Sequence, residues 1–219
     1  MPDNSNEYPF PTLKRIAQIT SSYCGPAVLE MLLSFLSYGA HQHQIVQAAN
    51  IQHKVNINGS TIAELALATK SLFPELQFWY KHEATLSELS KIVNQFQYPV
   101  GVEWQGVFDW PDEDEEEYNS FSPDEEEDYG EYDDDEGHYS IVTYINTQQN
   151  LVLIADPERH YAGTDRNFSI LQFEKRWWDQ NIITDPKTGH RQSINDFHTM
   201  FIITPKDITF PLSLNMIPT

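Results

Sequence analysis

The order of patterns along the chain predicts an α+β fold. An apolar helical run lies near the N-terminus and further helical patterns follow it. Most strand-like runs gather in the C-terminal half, and two of them are joined by a short polar turn, the mark of an antiparallel hairpin. Helices first and a mostly antiparallel sheet afterwards is the expected architecture. The 219 residues, 40% of them hydrophobic, are enough for a single domain with a real core. One domain over 1–219 is therefore expected, with a single compositional break at 109–136.

The first element follows from "SSYCGPAVLEMLLSFLSY". Ser21 and Ser22 are capping residue types, and Gly25-Pro26 can open a helix because proline is tolerated in the first turn. The run then places Val28, Leu29, Met31, Leu32, Leu33, Phe35 and Leu36 on nearly every side. A helix apolar all round is a buried central helix. Gly39 is expected to stop it. A second helix is predicted over "HQHQIVQAAN". A third is predicted over "TIAELALATKSLF", entered by the turn "NGST" and closed before Pro74. "LQFWYKH" reads as a strand. "TLSELSKIVNQF" reads as a helix, with Thr85 and Glu88 spaced as a capping box. "YPVGVEW" reads as a strand. "HYSIVTYI" and "LVLIADP" form the hairpin around "NTQQN", "SILQFEKRWWDQ" is a helix and "TMFIITP" a last strand.

The net charge of −20 is a local property. Seventeen acidic residues and no Lys or Arg lie between Asp109 and Glu136, leaving sixteen acids against thirteen bases elsewhere. The chain has no basic stripe to neutralise phosphates, which excludes nucleic acid as an expected partner. No apolar run reaches the roughly 20 residues that span a bilayer. The N-terminal "MPDNSNEYPFPTLKR" lacks the pattern of a signal peptide, so a cytoplasmic location is expected. With one cysteine there is no internal disulfide. The acidic run itself reads first as a solvated loop with interleaved aromatic anchors (Tyr118, Phe121, Tyr129, Tyr132). It could also steer a basic peptide, hold a hard cation or block the groove.

That single cysteine, Cys24, is placed where chemistry is favoured. A thiol at the N-terminus of a buried helix sits at the positive end of the helix dipole, which favours thiolate. A nucleophilic thiol also needs a base and a group to orient it. The hairpin supplies both residue types. A turn centred near Thr147 would set His138, at the start of the first strand, opposite Asp156, at the end of the second, about 5 Å apart at Cβ. A slip of two residues would leave them diagonal. Gln18 could donate its side-chain amide to an oxyanion together with the backbone N–H of Cys24. Because the acidic run ends beside His138, its field is expected to favour imidazolium.

The stretches "QITSSYCGPAVLEMLLSF", "GHYSIVTYI" and "LVLIADP" together resemble the bacteriocin-processing, double-glycine leader peptidases, papain-like enzymes of cysteine peptidase family 39. "NGSTIAELALATK", "LSELSKIVNQFQYPVGVEW" and "FSILQFEKRWW" extend the resemblance over roughly Leu13 to Pro205. The resemblance implies Cys24 as nucleophile, His138 as base, Asp156 as orienting acid and Gln18 as oxyanion donor. It implies helices packed on an antiparallel sheet around a central cysteine helix, a peptide or protein substrate, and no cofactor. The transporter peptidases of that family are fused to membrane and ATP-binding domains, which these residues do not include, so a Gly-Gly leader is not the expected substrate. "YCG" and "GHYS" are also similar to phytochelatin synthase, an acyl transferase. A third reading is an inactive binding module that uses the acidic run as its working surface.

Bland readings compete at other positions. His41 and His43 are one residue apart in a helix and so face different ways, and no carboxylate or thiol joins them or His53, so no metal site is expected there. Trp177 and Trp178 read as packing residues.

Overall fold

The computed structural model describes residues 9–108, 137–184 and 191–219. The acidic run at 109–136, and every expectation about it, lies outside the described residues.

Helices α1 (Cys24–Phe35), α2 (Gln42–Ala48), α3 (Val55–Asn58) and α4 (Ile62–Leu72) precede strand β1 (Leu76–Lys81). Helix α5 (Leu86–Ser90) runs on into a π-helical turn, Lys91–Gln95. Strands β2 (Val100–Gln105), β3 (Gly137–Asn146), β4 (Leu151–Ala155) and β5 (Asp165–Phe168) follow. After α6 (Ile170–Arg176) come β6 (Trp178–Thr184), β7 (Arg191–Phe197), β8 (Met200–Pro205) and the short β9 (Ile217–Pro218).

Seven strands form one sheet in the order β5-β4-β3-β2-β8-β1-β9, and β6 pairs with β7 in a separate ribbon. Every described pairing is antiparallel. Helix α1 packs against the centre of this sheet. Val28, Leu29, Met31 and Leu33 are fully buried, and α1 shares its core with Phe78, Val102, Ile141 and Phe201. The all-round apolar pattern of α1 has this cause: α2 and α4 cover the sides that the sheet does not.

Local signals hold where they are strongest. Thr85 caps α5 through the N–H of Glu88, whose side chain accepts from Thr85 N–H, and Thr61 and Glu64 do the same for α4. Other boundaries differ from the sequence-based expectation. The N-cap of α1 is Tyr23, with no side-chain cap, so neither Ser21 nor Ser22 serves. The helix ends at Phe35, before Gly39: Ser37 takes the left-handed conformation (φ 66°), and Ser37 and Tyr38 N–H bond back to Ser34 and Leu33 carbonyls. This is the closing pattern of a helix made without glycine. Helix α6 stops at Arg176, because Trp177 is fully buried and donates Nε1–H to Thr199 O at 2.9 Å, and Trp178 already begins β6.

The hairpin register also differs. Asn146, Ile145 and Tyr144 pair with Leu151, Val152 and Leu153. Beyond an irregularity at Thr143, Val142 pairs with Ile154 and Ile141 with Ala155. Asp156 lies past the last pair, and His138 pairs with Trp104 of β2. The shift from the expected register is two residues at this end. A shift of two keeps both side chains on the same face, where a shift of one would have separated them.

Candidate active site

Cys24 is the first residue of α1, where the first N–H groups have no intrahelical acceptor. Pro26 removes one further donor of that turn and fits its φ. Gly25 is dictated by crowding. A Cβ there would lie 2.2 Å from Ser60 Oγ and 3.2 Å from Tyr139 Cδ2. The residue after the cysteine must therefore be the smallest one for α1 to dock against α4 and β3.

His138, the second residue of β3, is 4% exposed and Asp156 1%. The two side chains meet, His138 Nε2 to Asp156 Oδ1, at 2.8 Å. That bond leaves Nδ1 for the thiol, and Cys24 lies close enough to act on the His138 ionisation. Burial pushes the imidazole pKa down. The Asp156 bond first, and then the interaction with Cys24 and the charges of both, outweigh burial and lift it to about 10. Burial raises the Asp156 pKa, but the bond to His138 and its charge, the Glu158 N–H and Arg166 hold the carboxyl below its ordinary range. A thiol, an imidazole and a carboxylate in this order can hold a thiolate–imidazolium pair and pass a proton to a leaving group.

Asp156 is fixed from three sides. The N–H of Glu158 donates to Oδ1 at 2.9 Å, the self-made turn that Asp forms before Pro157. Arg166 Nη1 donates to Oδ2 at 2.7 Å. The same guanidinium donates to Val107 O at 2.8 Å and lies 3.6 Å over the Tyr161 ring. Phe108 packs edge-on against His138 at 5.1 Å.

Gln18 is also at the site, 3% exposed. Its N–H donates to Pro157 O at 2.7 Å, and its Nε2 donates to Ser21 O at 3.1 Å and Glu158 Oε2 at 2.9 Å. All four residues singled out in the sequence are thus tied to one region: Cys24 to His138, His138 to Asp156, and Gln18 to the turn that carries Asp156.

Sequence reasoning missed Glu158 and Arg166. Glu158 carried a weak signal, lying two residues beyond Asp156. Arg166 carried none, since β5 was not expected. His41 instead meets Glu30 at 3.1 Å. Among the described residues no group of three or more His, Cys, Asp or Glu side chains is arranged to hold a metal ion, and no helix is long and apolar enough to cross a membrane.

The family model described as "Peptidase_C39 like family" matches residues 10–181, from before Gln18 to beyond Asp156. This chain belongs to that family. A member of the Peptidase_C39 like family, it is a papain-like cysteine peptidase, a hydrolase. Its fold is similar to that of the peptidase domain of Streptococcus ComA, described as a bi-functional ABC transporter involved in a quorum sensing pathway. The TM-score is 0.56 at 18% identity, over 89% of this chain and 99% of that one. The double glycine motif protease from an AMS/PCAT transporter, solved in complex with its leader peptide, gives a TM-score of 0.48 at 14% identity, over 87% of this chain and 90% of that one. Among curated proteins none matches.

Proposed function

We propose that this C39-like peptidase cleaves a peptide bond with Cys24 as nucleophile, His138 as its acid–base partner, Asp156 as the group orienting His138, and Gln18 with the Cys24 N–H as the oxyanion donors. One observation carries the assignment. His138 is bonded to the Asp156 carboxylate at 2.8 Å and electrostatically coupled to the Cys24 thiol, inside a site where all three are buried. The thiolate attacks the scissile carbonyl, and the Cys24 N–H, at the positive end of α1, faces the charge that develops on oxygen. The imidazolium gives its proton to the departing amine and leaves a thioester. Water, deprotonated by His138, then releases the acid. Every step uses groups of this chain and no cofactor. The substrate is a peptide or protein segment, and the seventeen carboxylates between Asp109 and Glu136 favour a basic one.

The test is hydrolysis of a peptide library together with labelling by a peptidyl electrophile. Labelling at Cys24 that depends on His138, with hydrolysis lost in Cys24→Ala, is the expected result. Reactivity no greater than that of a free thiol would overturn the enzymatic assignment. Turnover of glutathione in place of peptides would redirect it to acyl transfer.

A further inference from the structure

A single short turn governs both halves of the site. Asp156 takes the His138 proton donor, while the next three residues grip the chain at Gln18. Pro157 O accepts Gln18 N–H at 2.7 Å, Glu158 Oε2 accepts from Gln18 Nε2 at 2.9 Å, and Arg159 donates to Gln18 O at 3.3 Å and to Ile19 O. A side-chain amide nitrogen carries two hydrogens. Those of Gln18 go to Glu158 and to Ser21 O at 3.1 Å. The opposite amide orientation would set Oε1 against a carboxylate and a carbonyl, acceptors facing acceptors, so the nitrogen must lie on this side. Oε1 is left buried and, among the described residues, without a hydrogen-bond partner.

We infer that Glu158 is a positioning residue that, with Ser21 O, holds Gln18 in a donor-closed orientation, so that the side-chain half of the oxyanion hole forms only when one of these two contacts is given up. This rests on the role proposed above for Gln18. With both hydrogens engaged, Gln18 has none for a substrate oxygen, and the free enzyme offers the Cys24 N–H alone. The carboxylate is the stronger of the two acceptors because its bond is charge-assisted. It is also 8% exposed, so water does not replace it cheaply. An oxyanion must win a hydrogen from Ser21 O or turn the amide away from Glu158, whose charge-assisted bond pins it, and a peptide that fills the groove well supplies the binding energy to do so.

Glu158→Gln keeps the shape and removes the charge. Its amide turns either way, so Gln18 is no longer biased towards the closed orientation. On a short peptide substrate kcat is expected to rise by roughly tenfold with KM little changed, within the 10²–10³ that one oxyanion donor is worth. In a Gln18→Ala background the same substitution is expected to change nothing. Alkylation of Cys24 by iodoacetamide, which forms no oxyanion, is expected to match the unsubstituted protein. A fall or no change in kcat, or an equal rise in both backgrounds, overturns the inference. Full kcat in Gln18→Ala would overturn the role of Gln18 itself. A crippled Gln18→Ala with no gain from Glu158→Gln would overturn only the closed orientation. A second measurement needs no variant at Glu158. The ¹⁵N side-chain amide signal of Gln18, assigned by its loss in Gln18→Ala, is expected to shift when a peptide aldehyde forms a hemithioacetal at Cys24. An unmoved signal overturns the exchange of partners.

Discussion

Replacing Asp156 by Asn tests the electrostatics of the site directly. Asp156 Oδ1 lies 2.8 Å from His138 Nε2 and Oδ2 lies 2.7 Å from Arg166 Nη1, with His138 4% and Asp156 1% exposed. Asn keeps the shape but has one acceptor oxygen between these two donors. Turned to Arg166, it leaves its amino group against the imidazole. Turned to His138, it sets that amino group against a cation. Either way the imidazolium loses a charge-assisted partner. A hydrogen bond to a charged group contributes about 1.5–3 kcal/mol, which is roughly one to two pH units. His138 stands at about 10 because Asp156, and after it Cys24, outweigh the cost of burial. The imidazolium form is present below that pKa and is lost as pH rises through it. The alkaline limb of kcat/KM is therefore expected to move down by roughly one to two units in Asp156→Asn. The fold-stabilising part of this ionisation, present below the unfolded pKa of about 6.5, is likewise lost at lower pH than in the unsubstituted protein. The assay is kcat/KM against pH, normalised by active-site titration, with unfolding followed in the same buffers. An alkaline limb within a few tenths of a unit of the original would refute the assignment of Asp156.

Three further outcomes follow from the packing around the site. Arg166→Met leaves Asp156 Oδ2 without its charged donor, a side chain only 13% exposed, while His138 and the Glu158 N–H still hold Oδ1. A loss of about 1.5–3 kcal/mol in urea unfolding is expected for one charged hydrogen bond removed, with part restored in Arg166→Lys. Gly25→Ala brings a methyl to 2.2 Å from Ser60 Oγ and is expected to cost about 1–3 kcal/mol as overpacking. Adding Ser60→Ala should recover most of that, and equal stability of the single and double variants would count against the clash. Gly101→Ala meets the Phe201 ring at 2.3–2.7 Å, a ring already stacked on Phe78 at 5.4 Å. It is expected to lower Tm more than Gly25→Ala, since a buried ring has nowhere to turn.

Much was legible in the sequence because it is written within a few residues. The capping boxes of Thr61 with Glu64 and Thr85 with Glu88 depend on side chains three positions apart, and both form. The burial of α1 follows from its unbroken apolar surface, and the place of Cys24 at the head of that helix from its standing before Gly-Pro. Pairing of residues far apart was less determined. A symmetric turn was expected to oppose His138 and Asp156. The turn lies further along the chain and shifts the first pairs by three residues, and the irregularity at Thr143 brings the shift back to two, an even number that keeps both side chains on one face and lets them meet.

The sequence by itself determined the elements that local chemistry decides, the residue types of the site and the family-like order in which they occur. The tertiary structure alone decided where helices yield to packing. Trp177 ends α6 because its indole reaches the buried carbonyl of Thr199, and Ser37 closes α1 where Gly39 was the obvious candidate. It alone decided the supports of the site as well. Glu158 meets Gln18 across 140 residues, and Arg166 reaches Asp156 from a strand whose local pattern was silent. Such contacts arise from sheet order and twist, which bring distant segments to one edge, and no short stretch of sequence encodes that geometry.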